Sequence, residues 1–184
     1  YYDVAPAYGD AELKMGPALE KYRKKVFLAC KTKMRDREGA KMEFERSLER
    51  LRTDHFDLYQ LHVLAEVGKD VDQAFSKNGA MAYLQEQRKA GRIRYLGFSA
   101  HTEEAALAAL DRFQFDSIMF PVNFVSFFNA DFGPKVVKKA REKGTAILAI
   151  KGFARQRWPE GDPERKKLRF WYKPITDSDE AALA

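Results

Sequence analysis

The sequence predicts a (β/α)8 barrel, the TIM-barrel class, of which this chain carries about six βα units. Three observations lead there. Short β-like runs and amphipathic helices alternate strictly along the 184 residues, and such alternation builds a parallel sheet with helical crossovers. Asp3, Lys31, His62 and Ser99 each stand at or next to the C-terminal end of a different strand, which is where barrels place their chemistry. No GxGxxG or GxxxxGK motif follows any strand, so the doubly wound open sheet with its phosphate loop is disfavoured.

The elements follow in order. Tyr1 to Val4 is the first strand, and a helix runs from about Asp10 to Tyr22. Val26 to Lys31 is the second strand. The helix of about Arg37 to Arg52 puts Phe44, Leu48 and Leu51 on one face. Leu58 to His62 is the third strand. After a looser, charged connection, a helix of about Ala80 to Ala90 stops at Gly91. Ile93 to Phe98 is the fourth strand, ending at Ser99. Thr102 caps the helix of Ala105 to Asp111, whose start Glu103 and Glu104 complement electrostatically. Ser117 to Val122 is the fifth strand, Pro134 opens a helix ending at Gly144, and Ala146 to Ile150 is the sixth strand. A long loop then leads to Asp177, placed to cap a last helix.

Six such units fall short of a barrel of about 250 residues, and a six-strand arc exposes unpaired edges. The whole chain, 1–184, therefore reads as a single barrel domain truncated at both ends. A natural protein with one more strand upstream and another downstream is expected.

Composition narrows the function classes. Hydrophobic residues at 45% and charged residues at 33% describe an ordinary globular domain, with no membrane span and no signal-peptide pattern. The single cysteine, Cys30, excludes an intrachain disulfide and a thiolate-built metal site; no metal is expected. Its apolar surroundings suit a buried, inert thiol, and a single cysteine suits a reducing, cytoplasmic compartment. The net charge of +6 is spread over helix surfaces, except for the basic, aromatic-bearing stretch from Arg155 to Lys173. Nucleic-acid binding there would use Trp158, Phe170 and Trp171 as stacking platforms. Glu160, Asp162 and Glu164 dilute the field, so no nucleic acid is expected as partner.

Strand alternation places Phe27, Ala29 and Lys31 on one face, and Leu58, Gln60 and His62 on one face of the next strand. If these faces point inward, Lys31 and His62 meet Asp3 and Tyr8 at the barrel mouth. Such a group suits carbonyl reduction. Hydride arriving at a carbonyl carbon leaves negative charge on oxygen, which needs a proton donor and electrostatic support. A phenol of pKa about 10 donates reluctantly at neutral pH; a nearby ammonium is expected to lower that value, with a carboxylate holding the ammonium in place. Hydride must come from a cofactor. His55 and His101 read as structural or loop residues.

Four segments carry a family resemblance. YYDVAPAYGDAE resembles the strand motif of the aldo-keto reductases that spaces an Asp and a Tyr. VFLACK is similar to that family's lysine segment, DLYQLH to its histidine segment, and GRIRYLGFSAHT to its serine segment. The resemblance covers nearly the whole chain in order. It implies a (β/α)8 barrel and NADPH-dependent reduction of an aldehyde or ketone to an alcohol. By motif, Tyr8 would be the general acid, Lys31 and Asp3 its activating pair, and His62 the residue orienting the carbonyl. Ser99 would contact the nicotinamide carboxamide. The chain also departs from the pattern: Ala100 stands for the usual asparagine, Met119 for a cofactor-contacting glutamine, and Ile150 for a tyrosine under the nicotinamide. Ile150 would pack on the ring, and Lys151 would face a cofactor phosphate. The segment that grips the adenosine phosphate in the family has no counterpart here. The competing function is a regulatory or binding protein that keeps the barrel with little turnover. The expected partner is a small carbonyl compound, apolar or aromatic judging by Phe124, Phe127, Phe128 and Trp158. No membrane partner is expected.

Overall fold

The computed structural model of the chain describes residues 1–168 and 172–183. Strands β1 (Tyr2–Asp3), β2 (Leu28–Thr32), β3 (Phe56–Leu64), β4 (Ile93–Ala100), β5 (Ser117–Pro121) and β6 (Ala146–Ile150) pair in sequence order, all parallel. Helices α1 (Ala11–Leu19), α2 (Arg37–Leu51), α3 (Ala80–Lys89), α4 (Glu103–Arg112) and α5 (Pro134–Glu142) provide the crossovers. The sheet curls into a half-barrel, part of a (β/α)8 barrel. Among the described residues, no helix is long and apolar enough to cross a membrane.

Alternation along the strands separates two faces. Outward residues Leu28, Cys30, Tyr59, Leu61, Leu96, Phe98, Ile118 and Phe120 are buried under the helices. Phe44 of α2 is the hub of this layer, its ring 5.0 Å from Tyr59, 5.5 Å from Phe56 and 5.8 Å from Tyr83. Burial of a ring of that size contributes about 1.5–3 kcal/mol. Inward residues Phe27, Leu58, Tyr95, Ser117 and Leu148 instead share a cavity of about 360 Å³ on the concave side. Gly97 lies between them: a Cβ there would come within 2.5 Å of the Ser117 hydroxyl and 3.2 Å of Leu58.

Several boundaries differ from the sequence reading, each for a tertiary reason. The first helix gives way at Leu19, two residues past Pro17, to a 3-10 turn over Glu20–Lys25. That turn carries Arg23 to Thr53, to the His55 carbonyl and to Asp57. β3 begins two residues early because buried Phe56 pairs with Ile93. The looser connection after β3 contains a wide helical turn, Val67–Asp72. The loop after β6 holds an antiparallel pair, β7 (Ala154–Gln156) with β8 (Lys173–Pro174), and two short helices, α6 (Glu164–Leu168) and α7 (Ser178–Leu183). Both expected caps form. The Ala105 amide donates to Thr102 Oγ1, and the Asp179 and Glu180 amides donate to Asp177 Oδ1.

Candidate active site

The inward faces of β1, β2 and β3 bring Asp3, Lys31 and His62 to one end of the half-barrel, and the loop after β1 adds Tyr8. Register explains the meeting: Asp3 aligns with Ala29, and Lys31 with Gln60, so Lys31 and His62 each stand one inward step further toward the mouth. The loop itself is a pinned turn. The Val4 amide donates to the Ala29 carbonyl, the Tyr8 amide donates to the Ala5 carbonyl, and Gly9 turns the chain at φ +63°.

Lys31 is fully buried, and its ammonium is paired with Asp3 and donates to the Val4 carbonyl at 3.4 Å. The same Nζ lies 5.2 Å from the centre of the Tyr8 ring, and the Tyr8 and His62 rings meet edge to face at 5.6 Å. Tyr8 is 44% exposed, so its ring opens to the mouth. The phenol is held above its ordinary value, first by partial burial and then by the charge of Asp3. That is opposite to the expected lowering. Asp3 lies directly against the ammonium, and its negative charge offsets the support that Lys31 alone would lend a phenolate.

His62 is 7% exposed and its pKa is lowered to about 3, mainly by burial and then by the cations Lys31 and Lys33. Its ring is therefore neutral at ordinary pH. Nδ1 is buried without a hydrogen-bond partner among the described residues.

The other expected site residues line the neighbouring strands. Ser99 aligns with Met119, Met119 with Leu148, and Pro121 with Ile150. Ser99 is buried and its Oγ accepts from the Val63 amide at 2.8 Å, leaving the hydroxyl proton to donate elsewhere. Met119 and Ile150 are half-buried apolar groups, and Lys151 follows β6 at φ +60°. Phe124 and Phe128, 5.1 Å apart, stand exposed on the turn after β5. A cavity of about 450 Å³ lies between Phe124, Val125, Gly152 and Ile175.

Three residues beyond the sequence expectation belong to this end. Gln60 is fully buried and donates to the second oxygen of Asp3 at 3.4 Å; its inward position was visible, its partner was not. Lys33 has the inward parity of Lys31, and His101, in the bend just after β4, has that of Ser99. Lys33 and Lys151 have no carboxylate partner among the described residues, and both lower the His101 pKa after the larger effect of burial. By contrast, the basic stretch after β6 is partly neutralised: Lys173 pairs with Asp162 and Glu164, and Arg155 with Glu180. Trp158 lies 5.8 Å from the Lys173 ammonium, and Phe170 and Trp171 fall outside the described residues.

The family model of the aldo/keto reductases matches residues 1–166. The chain belongs to this family. Among curated relatives, Protein tas of Escherichia coli is 29% identical over an alignment spanning 62% of this chain and 37% of that protein. Aldo-keto reductase YhdN of Bacillus subtilis is 35% identical over 53% of this chain and 31% of that protein. A solved aldo-keto reductase structure from Pseudomonas aeruginosa, 28% identical, superposes with a TM-score of 0.70 over 83% of this chain and 60% of that one. The chain thus spans about a third of the length of these curated relatives and somewhat over half of the solved structure.

Proposed function

We propose that this chain carries the proton-handling site of an NADPH-dependent carbonyl reductase, acting on an aldehyde or ketone. The observation that supports it most is the convergence of Asp3, Tyr8, Lys31 and His62 at one end of the half-barrel. The raised phenol keeps Tyr8 protonated at neutral pH, as an acid must be before it acts. A substrate oxygen seated between Tyr8 and His62 receives two hydrogen bonds. The Tyr8 Oη–H is one donor. The neutral imidazole is the other: with no acceptor beside Nδ1 among the described residues, its proton is assigned to Nε2, which donates to the carbonyl. As negative charge grows on that oxygen the proton moves from Tyr8 Oη, and the Lys31 ammonium stabilises the phenolate left behind. Asp3 and Gln60 hold the ammonium beneath the ring.

The residues present fit a nicotinamide dinucleotide. Ser99 has a free proton for an amide oxygen, Met119 and Ile150 offer apolar surface, and Lys33 and Lys151, beside His101, form a cationic rim without carboxylate partners among the described residues. Ser99, Met119, Ile150 and Lys151 would hold the cofactor, with Asp3 at the reacting end. When bound, it supplies the hydride. The exposed Phe124 and Phe128 favour an apolar or aromatic substrate. The buried free Cys30 accords with a reducing, cytoplasmic setting.

The test is NADPH binding and turnover by the natural full chain. NADPH oxidation with aromatic aldehydes is expected, and Tyr8→Phe should lower kcat by about 10²–10⁴-fold with the fold intact, because Tyr8 is half-exposed. Binding without turnover would overturn the reductase reading and leave a binding protein on the same barrel.

A further inference from the structure

Beyond His62 the chain does something a regular strand does not. Val63 adopts φ +61°, a conformation that β-branched residues rarely enter. The β3–β4 register shifts between Leu61 and Leu64 at the same place. In a regular strand successive carbonyls point to opposite sides. The left-handed Val63 turns two of them toward one cation instead: Arg35 Nη2 donates to the His62 carbonyl at 2.8 Å and to the Val63 carbonyl at 2.9 Å. Arg35 Nε is bonded to Asp70 Oδ1 at 2.9 Å, and Asp70 Oδ2 accepts the Ala65 and Glu66 amides, each at 2.9 Å. From the other side Ser99 Oγ takes the Val63 amide, Thr102 Oγ1 donates to the Ala65 carbonyl at 2.7 Å, and the His101 amide bonds the Leu64 carbonyl.

Strained backbone persists only where its surroundings over-determine it. Here the hydrogen bonds meet on residues 62–66, and the residue at their origin is His62. Arg35 and Asp70 are half-buried, and neither is bonded to the Asp3, Tyr8 and Lys31 group. We propose that Arg35 and Asp70 are positioning residues: they clamp the strained Val63 peptide so that the His62 ring is presented to the substrate carbonyl. Arginine is needed because one planar head must bridge two carbonyls and a carboxylate at once, which a lysine ammonium on a flexible stem does not do.

The kinetic part rests on the proposed role of His62, so the experiment has two arms on the natural full chain. Amide hydrogen exchange at Val63, Ala65 and Glu66 reads the clamp without any activity. Arg35→Ala and the milder Asp70→Asn should raise exchange at these amides at least tenfold, with α1 and α2 unchanged. In the kinetic arm, Arg35→Ala should lower kcat at least tenfold with little change in the KM for NADPH, and Arg35→Lys should not restore it. Adding Val63→Gly should recover part of the loss, since glycine holds φ +61° without strain. In a His62→Ala background, Arg35→Ala should cost almost nothing more. Unchanged exchange in the variants would overturn the clamp. An equal kcat loss with and without His62 would overturn positioning through His62. If the wild-type chain shows no turnover, the reductase reading fails and the exchange arm alone decides the clamp.

Discussion

At the scale of single residues, His62 concentrates the most physics. Its ring is neutral because burial and the cations around it oppose a second proton, and the sign of the pH dependence follows. In the unfolded chain the imidazole titrates near 6.5, and in the folded chain near 3. Between those values the unfolded state binds the extra proton. The contribution of His62 to stability is therefore complete above about pH 6.5 and is lost progressively as pH falls toward about 3. His62→Asn should flatten this dependence, so its urea midpoint should fall less between pH 7 and pH 4.5 than that of the wild type. An equal fall in both would show that the ring is not buried neutral. The positions of Asp3, Lys31, His62 and Ser99 were readable from alternation alone, because a strand of known end has only two faces. The direction of the Tyr8 shift was not, since it depends first on how far the folded chain buries the ring and then on the charge of Asp3. Nor was Arg35: in KTKMRDRE it is one basic residue among several, and only the folded chain shows which one meets two carbonyls.

At the scale of elements, close approach decides more than propensity. Gly16 lies inside α1, where alanine is intrinsically better by about 0.8–1.0 kcal/mol. Yet a Cβ at Gly16 would sit 2.1 Å from the Arg50 carbonyl oxygen and 2.9 Å from Leu51 Cα. These are backbone atoms, which cannot rotate away, so α1 and α2 would have to separate, and overpacking of this kind costs about 1–3 kcal/mol. The clash is expected to win. Gly16→Ala should lower stability by about 1–2 kcal/mol in urea unfolding, and a gain in stability would show that the helices do not meet there. Sequence pattern located α2 and α4 well because amphipathic spacing and an N-cap such as Thr102 are local signals. It missed the turn at Val67–Asp72, whose ordering comes from Asp70 collecting the Ala65 and Glu66 amides and the Arg35 side chain. It also merged β7, α6 and β8 into one loop before the terminal helix. The β7–β8 pairing joins residues far apart in sequence, and a two-residue strand such as Lys173–Pro174 has no periodicity to read.

At the scale of the whole molecule, the charge is arranged rather than merely positive. Most of the basic side chains that approach another element are answered by an acid: Arg23 by Asp57, Arg37 by Glu86, Arg92 by Glu45, Lys173 by Asp162. Lys33 and Lys151, at the mouth of the half-barrel, are the contrast. They depress the pKa of His101, which shows that their fields overlap there. A polyanion approaching this end would gain attraction from both at once, without first breaking an ion pair. Because the two lysines are exposed or half-exposed, salt should screen that attraction, over a Debye length of about 10 Å at 0.1 M and about 3 Å at 1 M. The Kd of the natural full chain for NADPH should therefore rise several-fold as salt is raised across that range. Lys33→Ala with Lys151→Ala should bind more weakly at low salt and lose most of the salt dependence. A control separates placement from net charge: Lys138→Ala, on the outer face of α5 and 80% exposed, removes one charge at a distance from the mouth, as each rim substitution made singly does at the mouth, and should leave both affinity and salt dependence unchanged. Equal effects at Lys138 and at the rim would mean that net charge, rather than its placement at the strand ends, draws the dinucleotide.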